Sequence, residues 1–209
     1  MTSFDFGNNK GFVPAHQHPN GGGWVADTAS VDDTAFVGPK ARVFMRAKVK
    51  DKARLEDEAQ VYGHATVYDQ AFLSNQARVL ERAVVCGTAR IQDTALISGS
   101  AQVLGSPIIW ANAQVYGNAK VLGDAHVCGK ASISGNAIIS GRAVIKDSAS
   151  ISGNANIGGN VKVQDDSIIT GDASFTGHVT VCKDLVIFTG HYWGDFVLVL
   201  ADIGMDQNA

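Results

Sequence analysis

Between Val25 and Ile187 an apolar residue returns at every sixth position, without insertion or deletion. The 28 residues in this register are 15 Val, 10 Ile, two Leu and one Phe, so β-branched side chains dominate. Two residues earlier stands a small one, Ala in 22 of the 27 cases from Ala29 to Leu185. Two residues later comes Gly, Asp or Asn, again in 22 of 27. The residue after that is polar at all 27 positions from Thr28 to Asp184. A six-residue period fits neither the 3.6-residue turn of an α-helix nor a 3.5-residue coiled-coil repeat. Alternation within the unit does fit a strand. In the segment from Val115 to Val127, Ala119 and Val121 fall on one side and Lys120 and Leu122 on the other. Gly123 and Asp124 then interrupt the strand with residues that tolerate a left-handed bend. Each unit is therefore predicted to be one short strand and one corner, its inward pair a β-branched residue and an Ala. Such units bury their apolar residue only against their neighbours, which makes the chain an all-β solenoid.

The unit V/I-x-G/D-x-A-x resembles the hexapeptide-repeat proteins, whose fold is the left-handed parallel β-helix. In that family three hexapeptides form one triangular coil of about 18 residues. The resemblance implies about nine triangular coils between Val25 and Ile187, a prism about 43 Å long at ~4.8 Å per coil. It covers most of the chain and is specific for fold. It is weak for function, because the family includes acyltransferases, carbonic anhydrases, nucleotidyltransferase domains and non-catalytic scaffolds. The opening Gly21-Gly22-Gly23-Trp24-Val25, followed by uninterrupted repeats, looks most like bacterial and phage proteins of this type, some of them named as transferases.

Three regions follow. Residues 1–22, with Phe4, Phe6 and Phe12 among Gly, Asn and Pro, are expected to cap the open core of the first coil. Residues 23–189 are the β-helix, and residues 190–209 a C-terminal cap strand and tail. After Ile187 the next register position is Trp193, but Gly190-His191-Tyr192-Trp193-Gly194 breaks the pattern. The run from Phe196 to Leu200 is apolar on both sides, so it is expected to be buried as a cap or against another subunit. Residues 201–209 are expected to fray.

Composition narrows the function classes. Charged residues make up 18% and the net charge is −3, which offers no general attraction to nucleic acid or to an anionic membrane. No stretch of 18 apolar residues exists, so no membrane-spanning helix is expected. The first six residues lack the basic and then apolar segments of a secretory signal. Cys86, Cys128 and Cys182 show no metal-type spacing, and reduced thiols in a cytoplasmic protein are the simplest reading.

Residues one coil apart stack in columns, and the columns nominate sites. Outward apolar residues gather in the middle coils: Phe44, Tyr62, Leu80 and Tyr116 on one face, Leu104 and Leu122 on a second, Trp110 on a third. Contiguous exposed apolar patches are uncommon on monomers, so these residues are candidates for an interface. The resemblance implies a homo-oligomer, a trimer by preference. A corner column of Arg46, His64 and Arg82 could hold a small anionic ligand, a phosphate or carboxylate. Glu56, Asp57, Glu58, Asp69 and Glu81 could equally neutralise it, which leaves a solvated surface. The Asn118, Asn136 and Asn154 column further along that corner reads as a structural amide ladder.

Enzyme patterns are thin. An acyltransferase of the resembled type uses a general-base His beside acyl-CoA in an inter-subunit groove. His126, pointing outward from the apolar middle, is the candidate for that role. No loop interrupts the repeats to build an acceptor pocket. The paired His that an interfacial zinc site would need are absent at the required spacing. His16-Gln17-His18 offers two ligands without a third, so no metal site is expected. No phosphate loop or nucleophile elbow occurs. The sequence is read as a non-catalytic oligomeric scaffold, binding itself and an anionic ligand or protein partner, with no cofactor. The alternative is an acyltransferase that uses acyl-CoA.

Overall fold

The computed structural model describes residues 2–199, and every regular element among them is a β-strand. The strands wind into a β-solenoid whose three faces advance together. On the first face Val25 pairs with Val43 and Val43 with Val61, and the series ends with Ile169 beside Ile187. Val31 pairs with Val49 on the second face and Val37 with Leu55 on the third. All these pairings are parallel and one coil apart, so the period read from the sequence is the period of the structure. The first face's sheet contains 12 strands, two from the N-terminal segment and ten rungs of the solenoid.

Each inward column is filled by the residues that the pattern selects. From Ala35 to Val181 the Val, Leu, Ile and Ala of the repeat form one continuous core, with essentially no exposed surface. Alanine occupies the inward side of the corners because the chain doubles back there and leaves room for one methyl group. The residue two before the alanine adopts positive φ, as at Asp51 (55°), Asp93 (58°) and Gly135 (64°).

Backbone hydrogen bonding explains why Asp recurs at these bends. Along each strand, N–H groups donate to the carbonyls of the following coil, as Arg42 does to Ala59 at 3.0 Å and Phe44 to Val61 at 3.1 Å. The left-handed corner residue has no such partner for its N–H, and the carboxylate of the preceding coil supplies one. Asp69 accepts from the Gly87 N–H at 3.0 Å, Asp57 from Asn75 at 3.0 Å and Asp165 from Lys183 at 2.9 Å. Glu81 does the same for Gly99 at 2.6 Å. These acidic residues are parts of the frame.

The ends depart from the repeat. Ser3–Asp5 and Phe12–Gln17 form an antiparallel hairpin, and Phe12–Gln17 pairs antiparallel with Trp24–Ala26. The hairpin thus extends the first face as a sheet and folds Phe4 and Phe6 onto its outer surface. Phe4 stacks on Trp24 with ring centres 4.5 Å apart, and Phe6 on Phe44 at 5.0 Å. Only the turn from His18 to Gly23 meets the first coil's third face, where Asn20 donates to the Ala35 carbonyl at 2.9 Å. Gly23 must be glycine there, because a Cβ would lie 2.3 Å from the Gly38 carbonyl oxygen.

At the other end His191–Leu198 pairs over its whole length with Ser174–Val181 and adds a last rung to the second and third faces. The pattern breaks by one residue. Tyr192 takes the inward place and stacks on Phe175 at 4.5 Å, while Trp193 turns outward, 77% exposed. Phe196 and Leu198 pack on the core, whereas Val197 and Val199 are exposed, so the described chain covers only one side of this segment. Leu200 and the tail 201–209 lie outside the described residues.

Candidate functional site

Arg46, His64 and Arg82 stand on one corner in successive coils, all exposed. Their backbones are tied to the coil beyond, Arg46 N–H to Gly63 at 2.8 Å and His64 N–H to Glu81 at 2.6 Å. None of the three side chains forms an ion pair among the described residues. The acidic side chains expected to neutralise them have other partners: Asp57, Asp69 and Glu81 accept from corner N–H groups, Glu56 pairs with Arg54, and Glu58 lies 3.5 Å from the Gln76 amide. A shallow hollow beside Arg46 and His64 is shared with Lys10 and Thr28. The column is therefore a row of basic side chains without ion pairs among the described residues, about 4.8 Å apart.

Further along the same corner the amide ladder is present. Asn118 donates to Asn136 at 3.1 Å, Asn136 to Asn154 at 3.0 Å, and Asn154 to Asp172 at 2.9 Å. Each side-chain amide links two coils, so these residues hold the corner together and offer little to a ligand.

The apolar residues are not gathered into one patch. Phe44 is only 3% exposed, because Phe6 covers one side and Tyr62 stacks on the other at 4.7 Å. That removes Phe44 from any surface a partner could touch. The six-residue pattern carries no sign of this, since the hairpin that covers Phe44 lies outside the repeat. Leu80 remains half-buried in the next coil, and Tyr116, 40% exposed, is two coils further on. The Ser132 hydroxyl donates to the Tyr116 phenol at 3.4 Å, and this bond with that of Ser134 pulls the phenol below its usual pKa. Leu104 and Leu122 are direct neighbours on the second face and continue a file that begins with Tyr68 and Cys86. Trp110 is 42% exposed on the third face.

His126 projects into solvent from the third face between Ile108 and Val144. Among the described residues no carboxylate pairs with it to orient its ring. Cys86, Cys128 and Cys182 are all free thiols, and burial raises the pKa of Cys128. His16 pairs with Asp27 at 2.9 Å in the open, while His18 is buried, so the two rings do not converge. No group of three or more potential metal ligands occurs among the described residues. Among them, too, no helix is long and apolar enough to cross a membrane.

A further concavity lies where the sequence pattern nominated no site. A groove of about 510 Å³ runs along the corner between the third and first faces, lined by Lys40, Glu58, Gln76 and Thr94 with the corner residues beside them. It continues over the first face past Gln60 and Arg78. Toward the N-terminus it meets Phe4, Trp24 and Arg42 of the hairpin junction. Two rows of long side chains make its walls, Lys40, Glu58 and Gln76 at the corner and Arg42, Gln60 and Arg78 two residues on. The triplet spacing Lys40-x-Arg42, Glu58-x-Gln60, Gln76-x-Arg78 was the available signal. Beyond Thr94 and Leu96 the two rows become uneven, Asn112 with Gln114 and Lys130 with Ser132, before both shorten to Ser148 and Ser150.

Two segments, residues 59–74 and 113–129, match the family model described as the YdcK beta solenoid repeat. Both begin at an Ala of the same corner, and each spans close to one coil. No curated protein matches the chain. Over these two coils the protein is similar to the YdcK beta solenoid repeat, a likeness that concerns architecture and names no activity.

Proposed function

We propose that this protein is a non-catalytic, oligomeric β-solenoid scaffold that binds partners through its outward faces and the grooves between subunits. The observation that carries this reading is the division of labour among its polar groups. Corner Asp and Asn side chains are spent on holding coil to coil, whereas the groups left free lie in open rows along the faces. Such rows suit recognition of an extended surface better than the enclosure of a reacting atom. Among the described residues His126 has no orienting carboxylate.

The self-association surface in this proposal is the second-face file of Tyr68, Leu104 and Leu122, with the buried Cys86 between them. A homotrimer is the expected assembly. Light scattering of the wild-type chain should give a multiple of 21.9 kDa. The double variant Leu104→Lys/Leu122→Lys should give the monomer mass with an unchanged circular dichroism spectrum. A monomeric wild type would overturn the oligomer. Turnover of acetyl-CoA that vanishes in His126→Ala would overturn the non-catalytic reading.

A further inference from the structure

We propose that the groove along the corner between the third and first faces is a binding site for a linear oligosaccharide; this deepens the scaffold reading and rests on it. The groove's floor is closed to main-chain recognition. Arg42–Val43, Gln60–Val61 and Arg78–Val79 are each paired on both sides. An extended peptide would find no free strand edge to join, so a ligand must be read by side chains alone.

Those side chains mix both hydrogen-bonding senses within a few ångströms. Lys40 and Arg78 donate, Glu58 accepts, and Gln60, Gln76 and Thr94 do both. A sugar hydroxyl is donor and acceptor at once, and adjacent hydroxyls match the paired atoms of a carboxamide or carboxylate. A nucleic acid fits poorly, because Asp57, Glu58 and Asp93 put carboxylates where phosphates would run. An apolar ligand fits poorly too, because the lining between Lys40 and Thr94 is made of polar side chains.

The corner beneath the walls is tied together before any ligand arrives. Asp57 and Asp93 both bond to Asn75, at 3.0 and 2.8 Å, and Gln76 lies 3.5 Å from the Glu58 carboxylate. Preorganised polar groups lose little freedom on binding. At the N-terminal end the stacked Phe4–Trp24 pair and Pro39 form an apolar stop, suited to the C–H face of a sugar ring. From Lys40 to Thr94 the groove spans three coil steps, about 14 Å. That length suits a few sugar rings.

The test is an array of immobilised linear oligosaccharides, neutral and acidic, probed with the full chain. The wild type should retain a structurally related set. Gln76→Ala/Arg78→Ala should lower that retention about tenfold or more, the loss expected for charge-assisted hydrogen bonds. Glu58→Gln, which keeps the shape, should lower it less, and Arg142→Ala, on another corner, not at all. No retained oligosaccharide, or equal retention by the double variant, would overturn the site. Light scattering of the same samples separates the two readings. An intact oligomer without sugar binding sinks the groove alone, and a monomer sinks the scaffold.

Discussion

Asp93 is where the corner chemistry can be weighed most cleanly. One carboxylate oxygen accepts from the Asn75 side chain at 2.8 Å and the other from the Ala111 N–H at 3.0 Å, so this residue joins three successive coils. Its φ is 58°, a conformation that strains most L-residues and that Asp tolerates better than Ala. Two contributions can therefore be separated by substitution. Asp93→Asn keeps the backbone preference and one acceptor, and should lose about 1 kcal/mol. Asp93→Gly removes both bonds yet relaxes the backbone; its loss should be about 1.5–2 kcal/mol. Asp93→Ala loses both bonds and adds left-handed strain, for about 2–3 kcal/mol. Urea unfolding followed by circular dichroism would rank the four proteins, with midpoints compared at equal slope. The expected order of stability is Asp, Asn, Gly, Ala. Ala equal to Gly would refute the strain argument, and all three variants within ~0.5 kcal/mol of wild type would refute the ladder.

Ser167 occupies an alanine position of the core, fully buried, with its hydroxyl unpartnered. Ser167→Ala should raise stability by about 1 kcal/mol, read as a higher melting temperature, and a fall would mean the hydroxyl is satisfied. One residue inserted between Gly135 and Asn136 should abolish cooperative unfolding, because it turns Ala137 and Ile139 outward; a proteolysis pattern like wild type would contradict this. The bond from Lys146, chiefly, and the Asp165 N–H hold Asp147 below its ordinary pKa. A depressed carboxylate contributes stability above its unfolded-state pKa and loses it as pH falls through the lower folded value. Acid unfolding curves of Asp147→Asn and wild type should therefore converge below about pH 4 and separate above it, wild type the more stable. Parallel curves throughout would remove the linkage.

Much of this architecture could be read from the chain because its rules are local. A strict six-residue period dictates which residues point inward, and stacking by coil then made the amide ladder from Asn118 to Asn154 predictable. What escaped depends on segments outside that rhythm. Phe44 looked exposed because nothing periodic shows that the Ser3–Gln17 hairpin folds Phe6 over it. Tyr192 rather than Trp193 entered the core because a one-residue shift near Gly190 resets the register. Corner carboxylates such as Asp69 and Glu81 looked like surface charge. Their role follows from an unpaired backbone N–H one coil away, which only coordinates reveal. The groove was missed for another reason. Its walls depend on side-chain length at two positions flanking a corner, and a hydrophobic pattern does not record length.

Every site described here is assembled from residues one coil apart, and a cross-link tests that most directly. Ser134 and Ser152 face outward in adjacent coils of the first face, with main chains about 4.8 Å apart, within reach of a disulfide. With Cys128 changed to Ser, the pair Ser134→Cys/Ser152→Cys should oxidise readily, and peptide mass spectrometry should find the two cysteines joined. The pair Ser134→Cys/Lys146→Cys, which spans two faces, should stay reduced. Efficient joining of 134 to 146, or none of 134 to 152, would contradict the coil and every column drawn from it.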